Sequence, residues 1–123
     1  MDRRRIHPTG TGWAQAHEVT GATRTLFISG QVPTAADGTV PADFRSQCRQ
    51  AWANVGTQLE AAGMTVNDLV KITIFLSDRQ YRQEAYEVRT EVLGKEIEPA
   101  MTIIITGIYD EAWLLEIEAI AMA

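Results

Sequence analysis

The spacing of apolar residues changes period along this chain. Residues 13–19 (WAQAHEV) alternate, with Trp13, Gln15, His17 and Val19 on one face and Ala14, Ala16 and Glu18 on the other, the spacing of a short strand. Residues 1–12, with Pro8, Gly10 and Gly12, predict an irregular N-terminal segment. Gly21 offers a turn, and Arg24–Ser29 (RTLFIS) is rich in strand formers, so the two runs predict a hairpin that ends at Gly30. The loop Gln31–Ala42 holds Pro33, Asp37, Gly38 and Pro41 and cannot continue a central strand. Asp43 then offers an N-cap. Phe44, Cys48, Ala51, Trp52, Val55, Leu59 and Ala62 follow at three- and four-residue spacing, predicting an amphipathic helix closed by Gly63.

Leu69–Leu76 (LVKITIFL) is apolar on both faces, which marks a central strand. Ser77 or Asp78 caps a second helix whose stripe is Tyr81, Ala85, Val88 and Val92 and whose end is Gly94. Arg79, Arg82, Glu87, Arg89 and Glu91 form its expected solvated face. Two further apolar runs, Met101–Thr106 and Trp113–Ala121, flank the polar turn Gly107–Ala112 and predict a strand, a connection and an antiparallel strand. In the last run Leu115, Ile117, Ala119 and Ala121 share one apolar face, while Glu116 and Glu118 share the other with Leu114 and Ile120. A carboxylate on a mostly covered face needs a partner, a wet pocket or a sheet edge, since burying an unpaired charge is costly. A half-exposed edge strand is the plainer alternative.

The order strand, strand, helix, strand, helix, strand, strand predicts one α+β domain over residues 1–123, a single sheet with two helices on one face. Two helices leave the other sheet face bare, and apolar residues there predict a homo-oligomer with closed symmetry whose sheets pack together. The chain is acidic, with a net charge of −5, and its charges are interspersed, so no nucleic-acid partner is expected. The basic cluster Arg3–Arg5 reads as a solvated tail. The one cysteine, Cys48, falls on the apolar stripe of the first helix and reads as a small buried hydrophobe. No stretch resembles a signal peptide or a membrane span, so a soluble cytoplasmic protein is expected. His7 and His17 lack a second His or Cys at ligand spacing, and GxSxG, GxxxxGK(S/T) and GxGxxG are absent, so no metal and no cofactor are expected. The Glu116/Glu118 pair and the strand ends around it remain as candidate chemistry.

Four segments, in this order and spacing, then resemble a known family: Phe27-Ile28-Ser29-Gly30-Gln31-Val32-Pro33; Gln50-Ala51 with Asn54 and Leu59-Glu60-Ala61-Ala62-Gly63; Asp68-Leu69-Val70-Lys71 leading into Phe75-Leu76; and Glu116-Ile117-Glu118-Ala119-Ile120-Ala121. The chain resembles the RidA/YjgF/L-PSP group nearly end to end. That resemblance implies a chorismate-mutase-like fold with a mixed sheet, a homotrimer whose sheets form a central barrel, and three clefts between subunits that bind small metabolites. In the best-studied branch the cleft hydrolyses enamine/imine intermediates to a 2-keto acid and ammonia, and an arginine after Pro-Ala grips the substrate carboxylate. Here the corresponding stretch is Pro99-Ala100-Met101-Thr102. Methionine replaces the arginine, at an expected loss of about ten- to a hundredfold in carboxylate affinity.

By the same resemblance Trp13 takes the place of the family's aromatic, Tyr86 that of an asparagine, and Ile103 that of a cysteine or similar small residue. Ser29, Gly30 and Glu116 match the family pattern. The resemblance therefore implies Glu116 as the catalytic residue, with Trp13, Ser29, Gly30, Tyr86, Met101 and Ile103 around a small-molecule ligand. Arg89, one turn from Tyr86, is either a solvated surface residue or a replacement for the missing cation. Two functions compete: an imine/enamine hydrolase of altered specificity, and a metabolite-binding trimer without turnover. A ribonuclease, an older attribution in this family, ranks last because a basic stripe and stacking aromatics are lacking.

Overall fold

In the computed structural model, which describes residues 1–123, the chain forms β1 (Asp2–Pro8), β2 (Ala14–Thr20), β3 (Thr25–Gln31), α1 (Phe44–Ala61), β4 (Leu69–Leu76), α2 (Arg82–Leu93), β5 (Ala100–Ile105) and β6 (Leu115–Met122). The six strands make one mixed sheet in the order β1-β2-β5-β4-β6-β3. β4, apolar on both faces, lies between its neighbours, parallel to β5 and antiparallel to β6. Ile72, Ile74 and Leu76 point under the helices and are fully buried, as are Leu115, Ile117, Ala119 and Ala121 from β6. They meet Phe44, Cys48, Ala51, Trp52, Val55 and Leu59 of α1 in one core. The α+β architecture, with two helices on one face of a mixed sheet, is thus as the sequence predicts.

α1 starts where Asp43 accepts a hydrogen bond from Ser46 N, and Gly63 follows its end at φ +68°, where a side chain would be strained. Gly94 closes α2 in the same left-handed region, at φ +71°. Asp78 caps a single 3₁₀ turn, Arg79–Tyr81, and α2 begins at Arg82. Tyr81 stacks on Phe44, with ring centroids 4.4 Å apart. The buried residues of α2 are Ala85, Val88, Arg89 and Leu93, so the expected stripe is corrected at its last position: Val92 faces outward. Cys48 is buried against this packing, and burial pushes its thiol up to about 12. Native protein at pH 8 is therefore expected to resist a disulfide-exchange reagent and to release one thiol equivalent on denaturation; rapid labelling of the folded chain would contradict the buried placement.

Three expectations are corrected. Residues 1–12 are not an irregular segment, because Asp2–Pro8 forms β1, paired antiparallel with β2 from Asp2↔Thr20 to Pro8↔Ala14. Arg3–Arg5 is accordingly no free tail. Arg3 is half-buried; it donates to the Met122 carbonyl and lies 3.5 Å from the Asp68 carboxylate. Charged side chains along such a strand guard an exposed sheet edge.

The second correction concerns β2 and β3, which are not a hairpin. β2 pairs with β5 only at Ala14↔Ala100. The β1–β2 ribbon then passes the beginning of β4, where Arg3 reaches Asp68, and hands the chain to the far edge of the sheet. There Thr23 N and Arg24 N donate to the Ala123 carbonyl, and β3 pairs with β6. Third, β5 and β6 run antiparallel but do not pair with each other, because β4 lies between them.

The bare face of the sheet carries Lys71, Thr73 and Phe75 of β4, Glu116, Glu118 and Ile120 of β6, and Phe27 of β3, which is 75% exposed. A register shift between Leu69 and Lys71 turns Leu69 into the core, although strict alternation would place it on the same face as Lys71. No helix of the chain is long and apolar enough to cross a membrane.

Candidate functional site

Because β2 parts from β5 after Ala14, the outer edge of β5 has no strand beside it from Met101 to Ile105. α2 runs over this gap. The opening is a cavity of about 780 Å³. Its walls are Trp13 and Thr11 from the start of the β1–β2 ribbon side, Ile103 and Ile105 from β5, Ile74 and Leu76 from β4, and Tyr86 and Arg89 from α2. Ile103 is 44% exposed although it lies on the helix side of the sheet, where its register partner Ile74 is buried. The volume suits a small metabolite, for which sites of roughly 300–1,000 Å³ are usual.

Met101 lies beside this cavity, packed on the core, and its sulfur accepts a hydrogen bond from Arg89 Nη1 at 2.9 Å. Arg89 itself is held inside the fold. It is 4% exposed, so the solvated-surface alternative is corrected. Its Nη2 donates to the Thr11 carbonyl at 3.3 Å, and its guanidinium lies 5.2 Å from the centre of the Tyr86 ring. No carboxylate pairs with it; the ion pairs of the chain involve Arg3, Arg4, Arg45 and Arg49. Burial lowers its pKa, but a guanidinium remains charged at neutral pH. A buried cation held by a thioether, one carbonyl and a ring face is short of acceptors, since it has five donors to satisfy.

The remaining predicted residues gather elsewhere. Glu116 projects from the bare face of β6 beside Gly30 of β3. The contact is close: a Cβ added at Gly30 would stand 1.9 Å from Glu116 Oε1 and 2.7 Å from its Cδ. Gly30 is needed here for room, not for an unusual backbone angle. Ser29 is exposed next to it, its carbonyl accepting from Gln31 Nε2 at 3.0 Å. One chain thus brings Trp13, Tyr86, Met101 and Ile103 together with Arg89, and separately brings Ser29 and Gly30 to Glu116. It does not join the two groups, which lie on opposite faces of the sheet.

Glu118, the other half of the acidic pair, lies opposite Thr73 on the bare face, away from the cavity. Arg79 and Arg82 also line the cavity. Sequence reasoning passed over them as part of a solvated helix face, though their spacing from Arg89 was visible.

Relatives bear on both groups. A family model described as Endoribonuclease L-PSP matches residues 7–123. The RutC family protein PH0854 of Pyrococcus horikoshii is 38% identical over 98 residues, 78% of this chain and 77% of that protein. The 2-iminobutanoate/2-iminopropanoate deaminase of Escherichia coli is 46% identical over a shorter stretch of 54 residues, 43% of this chain and 42% of that one. Among solved structures, Escherichia coli TdcF with bound serine superposes with a TM-score of 0.76 at 28% identity, covering 98% of this chain and 99% of that one. By this match along nearly its whole length, the chain belongs to the endoribonuclease L-PSP family, the RidA/YjgF group.

Proposed function

We propose that this protein hydrolyses a carboxylate-bearing imine or enamine in a cleft between two copies of the chain, with Arg89 taking over the carboxylate-gripping role that Met101 cannot fill. The observation that carries this reading is the buried, carboxylate-free guanidinium of Arg89 beside Met101 at the wall of a metabolite-sized cavity. The deaminase name of one relative and the serine bound by another support a small amino-acid-derived ligand.

The bare sheet face, with Phe27 75% exposed and Phe75 and Ile120 beside it, supports self-association into a trimer. In that trimer Trp13, Tyr86, Arg89, Met101 and Ile103 of one copy face Ser29, Gly30 and Glu116 of the next. The substrate carboxylate seats on Arg89 by paired N–H···O bonds. Glu116 orients a water and accepts its proton as oxygen adds to the imine carbon. Glu116 passes that proton to the nitrogen, then carries the hydroxyl proton of the resulting carbinolamine to the same nitrogen as the C–N bond breaks, so that ammonia and a 2-keto acid remain. An enamine first takes a proton from water at its β-carbon to become the imine.

The test is the rate of 2-keto acid formation from 2-aminoacrylate generated in place, with wild type, Glu116→Gln and no protein. Acceleration by wild type and a loss of about 10²–10⁴-fold in Glu116→Gln are expected. No acceleration by wild type, with pyruvate or serine still raising its melting temperature, would sink hydrolysis and leave the binding-only trimer.

A further inference from the structure

The same cavity carries more positive charge than one carboxylate requires. Arg79, Arg82 and Arg89 all line it, and no aspartate or glutamate does. None of the three has an ion-pair partner in the chain. That is unexpected by chance in a chain with 16 acidic and 11 basic residues.

The charges of α2 are in fact sorted by face. Glu84 and Glu87 turn toward α1 and pair with Arg45, and Glu91 pairs with Arg49 at 2.9 Å. Pairing with α1 therefore holds the acids of this helix away from the cavity and leaves its arginines to face it. Arg82 and Arg89 are seven residues apart, two turns on one helix face, so their backbones stand roughly 10 Å apart. Arg89 is the fixed, buried end; Arg79 and Arg82 are exposed at the other. The wall between them is Tyr86, Ala85 and Ile105.

We infer that the cavity takes a dianionic small molecule: one carboxylate seated on Arg89, an apolar spacer along Tyr86 and Ile105, and a second anionic group held by Arg79 and Arg82. This inference rests on the reading of Arg89 as the carboxylate anchor and narrows its ligand from monoanions to dicarboxylates. Guanidinium contacts at both ends would favour dicarboxylates over ligands with one charge, because the second anionic group gains a charge-assisted contact that a monocarboxylate lacks. The mouth pair, being exposed, contributes less than Arg89 and weakens as salt rises.

The probes are linear saturated dicarboxylates of four to nine carbons and the monocarboxylates of equal length, titrated into wild type, Arg79→Gln/Arg82→Gln and Arg89→Gln by calorimetry. In wild type one intermediate chain length is expected to bind about tenfold or more tighter as the dicarboxylate than as its monocarboxylate. In Arg79→Gln/Arg82→Gln, whose substitutions are at exposed positions, that advantage is expected to fall to about twofold or less. Monocarboxylate binding that requires Arg89 with no dicarboxylate advantage in wild type, or an advantage that survives Arg79→Gln/Arg82→Gln, would overturn the second subsite and leave the anchor standing. Binding of both series unchanged in Arg89→Gln would overturn the anchor itself.

Discussion

Arg89→Met is expected to make the unliganded protein more stable and its cleft unable to hold a carboxylate. Both effects follow from one placement. Arg89 is 4% exposed, and its partners are the Met101 sulfur, the Thr11 carbonyl and the Tyr86 ring, none of them an anion. Taking an ion out of water costs several kcal/mol in a protein even after relaxation, and a cation–π contact returns about 0.5–2 kcal/mol. The Thr11 carbonyl, on an exposed residue, can turn to water when the guanidinium goes.

Methionine has a similar length, no charge, and an apolar neighbour already in Met101. A gain of about 1–2 kcal/mol, or roughly 3–8 °C in melting temperature at matched protein concentration, is expected. Affinity for a carboxylate should fall about ten- to a hundredfold. Scanning calorimetry with and without ligand reads both. A fall in melting temperature without ligand would mean that the guanidinium holds a carboxylate from another copy of the chain, making it a structural residue and not a binding one. A gain in stability on removing the cation would be the usual trade of stability for a binding site.

That cation was present in the sequence, but its burial was not. At helical spacing Arg89 falls between Tyr86 and Leu93, and periodicity alone assigns an arginine to the wet face. What buries it is the packing of α2 against Met101 of β5 and Thr11 ahead of β2, long-range contacts that local alternation cannot report. The same limit explains the strand errors. β2 and β3 are joined by a four-residue link, as hairpin strands are, yet the ribbon with β1 carries β2 past the start of β4 and leaves β3 to pair with β6. β1 itself, with Ile6 as its one strongly apolar residue, has no apolar face to announce it; its pairing is written in backbone hydrogen bonds and in Arg3 reaching Asp68 and Met122. By contrast β4, β6 and α1 were legible because each buries a complete stripe or face, and caps at Asp43, Gly63 and Gly94 mark where the helices stop. Glu116 was legible from strand alternation and Gly30 from the family resemblance; their mutual contact is a property of the β3–β6 pairing.

The contact between those two residues carries the other large effect. Gly30→Ala is expected to cut turnover about as deeply as Glu116→Gln while leaving the fold in place. The backbone at Gly30 is not in the left-handed region, so alanine is conformationally allowed. Its methyl group, however, would overlap Glu116 Oε1 at 1.9 Å and Cδ at 2.7 Å, and it would reach Cγ at 3.0 Å. Of the two, the glutamate must yield, since the overlapping atoms are the far end of a flexible side chain on a half-exposed face.

The cost of that move is a rotamer change, about 0.5–1.5 kcal/mol, too little to unfold the chain. Its functional consequence is larger, because a base displaced by an ångström or more no longer orients water and a loss of about 10²–10⁴-fold in kcat is the usual scale for such a group. The Michaelis constant should change little, as the carboxylate anchor on Arg89 is untouched. Retained kcat in a folded Gly30→Ala protein would remove Glu116 from the mechanism. A raised Michaelis constant with kcat intact would instead give the Gly30 backbone a role in substrate binding and leave Glu116 with none in proton transfer.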